Sequence, residues 1–181
     1  MRLKKIAGYR INDIIEDSLA WVVVLAMFIY GGAKYWQFSE NADILQTPVG
    51  DLTGMELMWT FYSYSTTFAV LLGIFEITGG ILILFKPTRL IGCFFTSTIL
   101  VNIIIQDIFF EVNRGALKAA ILYQMIILYI FWNNRKNIYE AVSKLLLPAN
   151  FKLNKNRIIR FSIVFLFFII FRVMEFYLTT K

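Results

Sequence analysis

The chain has 181 residues, of which 59% are hydrophobic and only 17% charged, and its mean hydropathy is +0.66. That balance excludes an ordinary water-soluble domain and points to an all-α, polytopic membrane protein. The net charge of +6 does not argue for a nucleic-acid partner, because Lys and Arg fall in the connections between apolar runs, where they set membrane orientation.

Taken in chain order, residues 3–17 mix Lys4, Lys5 and Arg10 with Leu3, Ile6, Ile11, Ile14 and Ile15, a pattern that predicts a short interfacial helix. The first span is expected over about 19–36. The polar stretch Asn12 to Ser18 separates the basic residues from the apolar core, which favours a retained span over a cleaved secretory signal. A connection over 37–58 then carries Glu40, Asp43, Asp51 and Glu56 and no Lys or Arg. Within it Thr53 and Glu56 stand three apart, as in a helix-capping box, so a short helix should lead into the second span.

The second and third spans, about 60–85 and 90–110, are separated only by Lys86, Pro87, Thr88 and Arg89 and read as a transmembrane hairpin. On a wheel of about 100° per residue, Ser65, Ala69, Gly73, Glu76 and Gly80 share one narrow face of the second span. Small residues admit a close neighbour, and a carboxyl at this depth must face protein or water, so the stripe should point into the bundle. A fourth, shorter span is expected over about 117–132. A basic region then follows, with an interfacial helix over about 137–147, and a fifth span covers about 158–178. One domain over 1–181 follows from the lack of any linker-like tract. Trp21, Trp36, Trp59 and Trp132 all fall at expected span ends, where amphipathic rings settle. The loop charges put the N-terminus in the cytoplasm and the C-terminus outside.

Polar residues inside the spans are the functional candidates. Glu76, Asn102, Gln106 and Gln124 form a candidate polar interior, with Thr98, Asn102 and Gln106 recurring at every fourth position of the third span. Lys34, Asp107, Arg172 and Glu175 lie toward the outer side in the expected topology, with Glu76 nearer the cytoplasm. The plainer alternatives are interhelical hydrogen bonds for the amides and hydroxyls, mutual pairing of Arg172 with Glu175, and a snorkelling Lys34. Cys93 reads as packing. With one Cys and no His, the chain has no internal disulfide, no His-based metal site and no bis-histidine haem, so no metal centre is expected and any redox role must borrow its electron carrier.

Three stretches resemble the DoxX-like family of small bacterial membrane proteins, whose relatives include the small subunit of thiosulfate:quinone oxidoreductase. They are Tyr30-Gly31-Gly32-Ala33-Lys34, Leu57-Met58-Trp59-Thr60-Phe61-Tyr62-Ser63-Tyr64-Ser65, and Gly73-Ile74-Phe75-Glu76-Ile77-Thr78-Gly79-Gly80 with Leu82 and Arg89. The resemblance covers about Gly31 to Trp132, and carries over only Gly31, Lys34, Glu76 and Gly80. It implies a four-span core in the bacterial cytoplasmic membrane, here extended by a fifth C-terminal span, and a link to quinone- or thiol-dependent redox systems. Family members commonly have an arginine early in the first span, which Ser18 to Val22 lack. On this basis we expect a membrane subunit or accessory of such a system, with a quinone as borrowed ligand at Glu76 and Lys34. The alternatives are a scaffold or sensor that oligomerises through its small-residue stripes and docks a cytoplasmic protein on its basic regions, or a small transporter or proton pathway.

Overall fold

The computed structural model describes residues 5–6, 9–39, 46–146 and 155–179. The chain divides into two compact units, Met1–Tyr139 and Glu140–Lys181, each described by itself. Among the described residues there are seven α-helices and one minimal two-stranded ladder, β1 (Lys5–Ile6) with β2 (Tyr9–Arg10). Five helices are long and apolar enough to cross a membrane, and the chain is a multi-pass helical membrane protein. Parts of the expected lead-in, of the acidic connection and of the basic region lie outside the described residues.

In the first unit, α1 (Ile11–Ser39), α3 (Thr66–Leu84), α4 (Arg89–Phe109) and α5 (Arg114–Asn133) make an antiparallel bundle, closed because α1 packs on both α3 and α5. Glycine sets its tightest contact. A Cβ added to Gly31 of α1 would sit 2.6 Å from the Gly73 carbonyl oxygen of α3, and one added to Gly73 would strike the Gly31 carbonyl. Gly80 faces α1 less tightly, where an added Cβ would sit 3.1 Å from Met27 Cβ and 3.5 Å from the Val24 carbonyl oxygen. The small-residue stripe of Ala69, Gly73, Glu76 and Gly80 is thus buried within the chain's own bundle, which leaves it unable to serve as an outward oligomerisation face. Val23, Met27, Ile83, Leu100, Ile127 and Ile130 fill the core. The outward faces carry exposed apolar side chains such as Leu25, Ile74, Ile91 and Leu122, as lipid requires.

Several boundaries differ from the sequence expectation. The lead-in is no separate interfacial helix: α1 begins at Ile11, and its first turns are held by ion pairs described below. The run 60–85 is two helices. Thr53 and Glu56 form the expected capping box at the start of α2 (Gly54–Ser63), and the Thr53 backbone N–H bonded to Glu56 holds that carboxyl below its usual range. Ser65 then adopts an extended conformation and caps α3, accepting from the Phe68 backbone N–H at 3.3 Å. Ser65 therefore terminates the stripe and is not part of the packing face. Trp21 consequently lies well inside α1, and Trp59 belongs to α2 and to no span end. The fourth span is full length, with α5 holding 20 residues.

Between α4 and α5, Glu111 takes a left-handed conformation with φ 53°, and the Val112 backbone N–H reaches back to the Asp107 carbonyl at 3.0 Å. This closure ends α4 tightly.

In the second unit, α7 (Lys155–Thr179) is the fifth apolar helix. Arg172 donates to Glu175 at 2.5 Å across exposed side chains, the mutual pairing that their spacing allows. The helix expected over about 137–147 is α6 (Arg135–Leu145), which starts two residues before the expected position and crosses the division between units.

Candidate functional site

The candidate site lies where α1, α2, α3, α4 and α5 surround a cavity of about 780 Å³. Gly31 and Gly73 mark one level of the α1–α3 contact. Lys34 lies three residues, nearly one turn, beyond that level on α1, and Glu76 lies three residues beyond it on α3 in the opposite direction, because the helices run antiparallel. Helical side chains lean toward their own N-termini, so these two lean toward each other. Lys34 Nζ meets Glu76 Oε1 at 3.3 Å, with only 16% and 2% of the side chains exposed. The side chains thus meet across the difference in level between the two positions, and the snorkelling alternative does not hold for Lys34. Lys34 turns inward, and its ammonium also lies 5.6 Å from the centre of the Phe38 ring.

Asp107, the second candidate outer-side charge of this unit, is 6% exposed and lines the same cavity as Lys34 and Glu76. Two carboxyls thus share the site with one lysine. Glu76 Oε2, Asp107 Oδ2 and the indole Nε1 of Trp59 are buried without a hydrogen-bond partner among the described residues. Buried polar atoms normally find partners, so three such atoms around one cavity mark a place built for a polar group. Around them a hydrogen-bond chain runs from the Tyr62 hydroxyl, which donates to Gln106 Oε1 at 2.6 Å, to the Gln106 amide, which donates to Asn102 Oδ1 at 2.7 Å. Tyr62 had no place among the sequence candidates. The remaining wall is apolar and aromatic, with Phe61, Phe68, Phe75 and Tyr123, and small where Ala116, Ala119 and Ala120 of α5 face the space.

The other candidates divide. Thr98, Asn102 and Gln106 line the cavity. Gln124 does not; it exchanges hydrogen bonds with Ser97 of α4 at 2.9 and 3.3 Å and ties α5 to α4. Arg172 and Glu175 belong to the other unit. Cys93 is fully buried in the core.

At the opposite end of the bundle the structure reveals a network that had no place in the sequence reading. Arg89, 5% exposed, donates to Glu16 at 3.3 Å, to Asp17 at 2.5 Å and to the Ile83 carbonyl at 3.3 Å. Glu16 also accepts from the Asn133 and Asn134 side chains. One arginine therefore joins the start of α1, the α3–α4 turn and the end of α5. The polar spacer Asn12 to Ser18 thus carries Glu16 and Asp17 of this network, and the sequence clue is two carboxylates about one turn before an apolar run. Arg89→Met leaves Glu16 buried without its cation and is expected to cost about 3 kcal/mol or more. Arg89→Lys should recover only part, since an ammonium cannot reproduce the guanidinium fork. Unfolding midpoints of the three proteins in mixed micelles check this order.

The chain is similar to an uncharacterised protein of Bacillus subtilis (strain 168), YwoB, with 28% identity over 135 residues that cover 71% of this chain and 85% of the relative. No family model and no solved structure matches it.

Proposed function

We propose that this chain is a membrane subunit or accessory of a redox system, and that its bundle cavity binds a quinone-class molecule. The observation that carries the reading is the Lys34–Glu76 ion pair, with Glu76 Oε2 and Asp107 Oδ2 left unpartnered in a largely apolar cavity of about 780 Å³. That size falls in the range of small-molecule sites, as does a lining of aromatic walls with few convergent polar groups. The resemblance to DoxX-like proteins supports this reading and a location in the bacterial cytoplasmic membrane, and the distribution of Lys and Arg between the connections supports an inside N-terminus and an outside C-terminus.

The residues fit such a ligand. Lys34 Nζ and the indole N–H of Trp59 are donors suited to ring carbonyls, and the two carboxyls are acceptors suited to the hydroxyls of the reduced form. A bound quinone supplies two-electron, two-proton chemistry, with the electrons delivered by a partner. The chain's own groups supply the rest. Lys34 stabilises negative charge at the head of the ligand. Glu76 holds or releases a proton at Oε2, and Asp107 does so at Oδ2. The Phe61, Phe68 and Phe75 rings orient a flat head group and keep water from it.

The test is a titration of the purified protein in nanodiscs with a short-tailed benzoquinone, read by tryptophan fluorescence. Binding should saturate, and Glu76→Gln should weaken it about tenfold, the scale of one hydrogen bond to a charged group. A signal that rises linearly with ligand, with no saturation in the unmodified protein, overturns the proposal.

A further inference from the structure

A second pocket, of about 510 Å³, lies at the Arg89 end of the first unit. The topology makes it, because the entry to α1, the α3–α4 turn and the junction of α5 with α6 all meet there. It gathers Arg10, Lys86, Arg135 and Lys136, with the Asn12 and Asn137 amides among them. The acids in its wall are Asp13 and Glu16. Glu16 is already held by Arg89 and the Asn133 and Asn134 amides, so it draws little on the pocket's cations. Lys86 lies 3.7 Å from Asp17. Among the described residues, Arg10, Arg135 and Lys136 make no ion pair. Arg135 is positioned by its own neighbour. One guanidinium nitrogen donates to the Trp132 carbonyl at 2.9 Å, and the group sits 5.1 Å from the Trp132 ring centre. Most of its five N–H donors remain for a ligand. Trp132 is 69% exposed, the setting of an aromatic ring at a membrane–water boundary.

A concave, largely polar pocket with surplus cations, a held arginine fork and amide donors matches the oxygens of a phosphate group. We propose that this pocket binds a phosphate group, carried by an anionic phospholipid headgroup or by a soluble phosphate ester. The proposal is independent of the quinone reading, since the two pockets share no lining residue.

Native mass spectrometry of the detergent-solubilised chain tests it with three probes: phosphatidylglycerol, phosphatidylcholine, and glycerol phosphate as soluble competitor. The unmodified protein should retain phosphatidylglycerol about tenfold over phosphatidylcholine, the scale expected from one to two favourable basic contacts. Arg135→Gln with Lys136→Gln should abolish that preference. Arg114→Gln with Lys118→Gln, at the start of α5 and outside this pocket, should leave it intact. Displacement by glycerol phosphate assigns the site to a soluble ester, and persistence against it assigns the site to a lipid; either outcome upholds phosphate binding. No preference in the unmodified protein, a preference that survives the Arg135 and Lys136 changes, or an equal loss in the Arg114 and Lys118 control overturns it.

Discussion

Gly73→Leu is expected to abolish the bundle, and Gly32→Leu to be tolerated. At Gly73 any Cβ strikes the Gly31 carbonyl and crowds Lys34 Cβ at 3.2 Å. The obstacle is backbone, so relief requires α1 and α3 to separate along their contact. Core overpacking typically costs 1–3 kcal/mol, and a helix–helix separation that also breaks the Lys34–Glu76 pair should exceed about 3 kcal/mol. Gly32, next in sequence to the tightest contact, has open space around its missing Cβ, and its replacement should stay within about 0.5 kcal/mol or gain slightly from helix propensity. Yield of monodisperse protein and SDS-unfolding midpoints measure both. Equal behaviour of the two variants would mean that α1 and α3 do not meet at Gly31 and Gly73.

That contact illustrates what the sequence reveals and what it hides. A stripe of Ala69, Gly73, Glu76 and Gly80 is legible because helical periodicity alone places it on one face, and the energetics of a carboxyl in lipid turn that face inward. The capping box at Thr53 and Glu56 is legible because its residues are local. The break at Ser65 was hidden by the hydropathy of the surrounding run, although Ser63, Ser65, Thr66 and Thr67 cluster there and such residues favour helix starts. What helical periodicity cannot give is distance between helices. It placed Lys34 and Glu76 at different depths because it counted Cα positions, and the lean of two side chains along antiparallel helices closes that gap. The burial of Asp107 was hidden for a related reason: its position near the end of α4 says nothing of the cavity that it lines with α2 residues Met58 and Tyr62.

Lys34→Met is the second large effect expected. Removing one partner of a buried ion pair leaves the other charge uncompensated, at about 3–5 kcal/mol. Glu76 is 2% exposed and already has one carboxylate oxygen without a partner. Lys34→Met should therefore destabilise more than Glu76→Gln, which leaves an ammonium that can turn to Asp107. The double variant, with neither charge, should regain most of the stability. The coupling energy from this cycle, measured by unfolding in mixed micelles, should be 1 kcal/mol or more in favour of the pair. Additive losses would show that the two groups do not interact.

The most direct test of a ligand cavity inside the bundle is a photoreactive quinone analogue, with labelled residues mapped by peptide mass spectrometry. Labelling should concentrate on cavity residues such as Met58, Phe75 and Tyr123, be suppressed by excess unmodified quinone, and fall in Glu76→Gln. Labels confined to outward residues such as Ile74, Ile91 and Leu122, unaffected by competitor, would contradict the account.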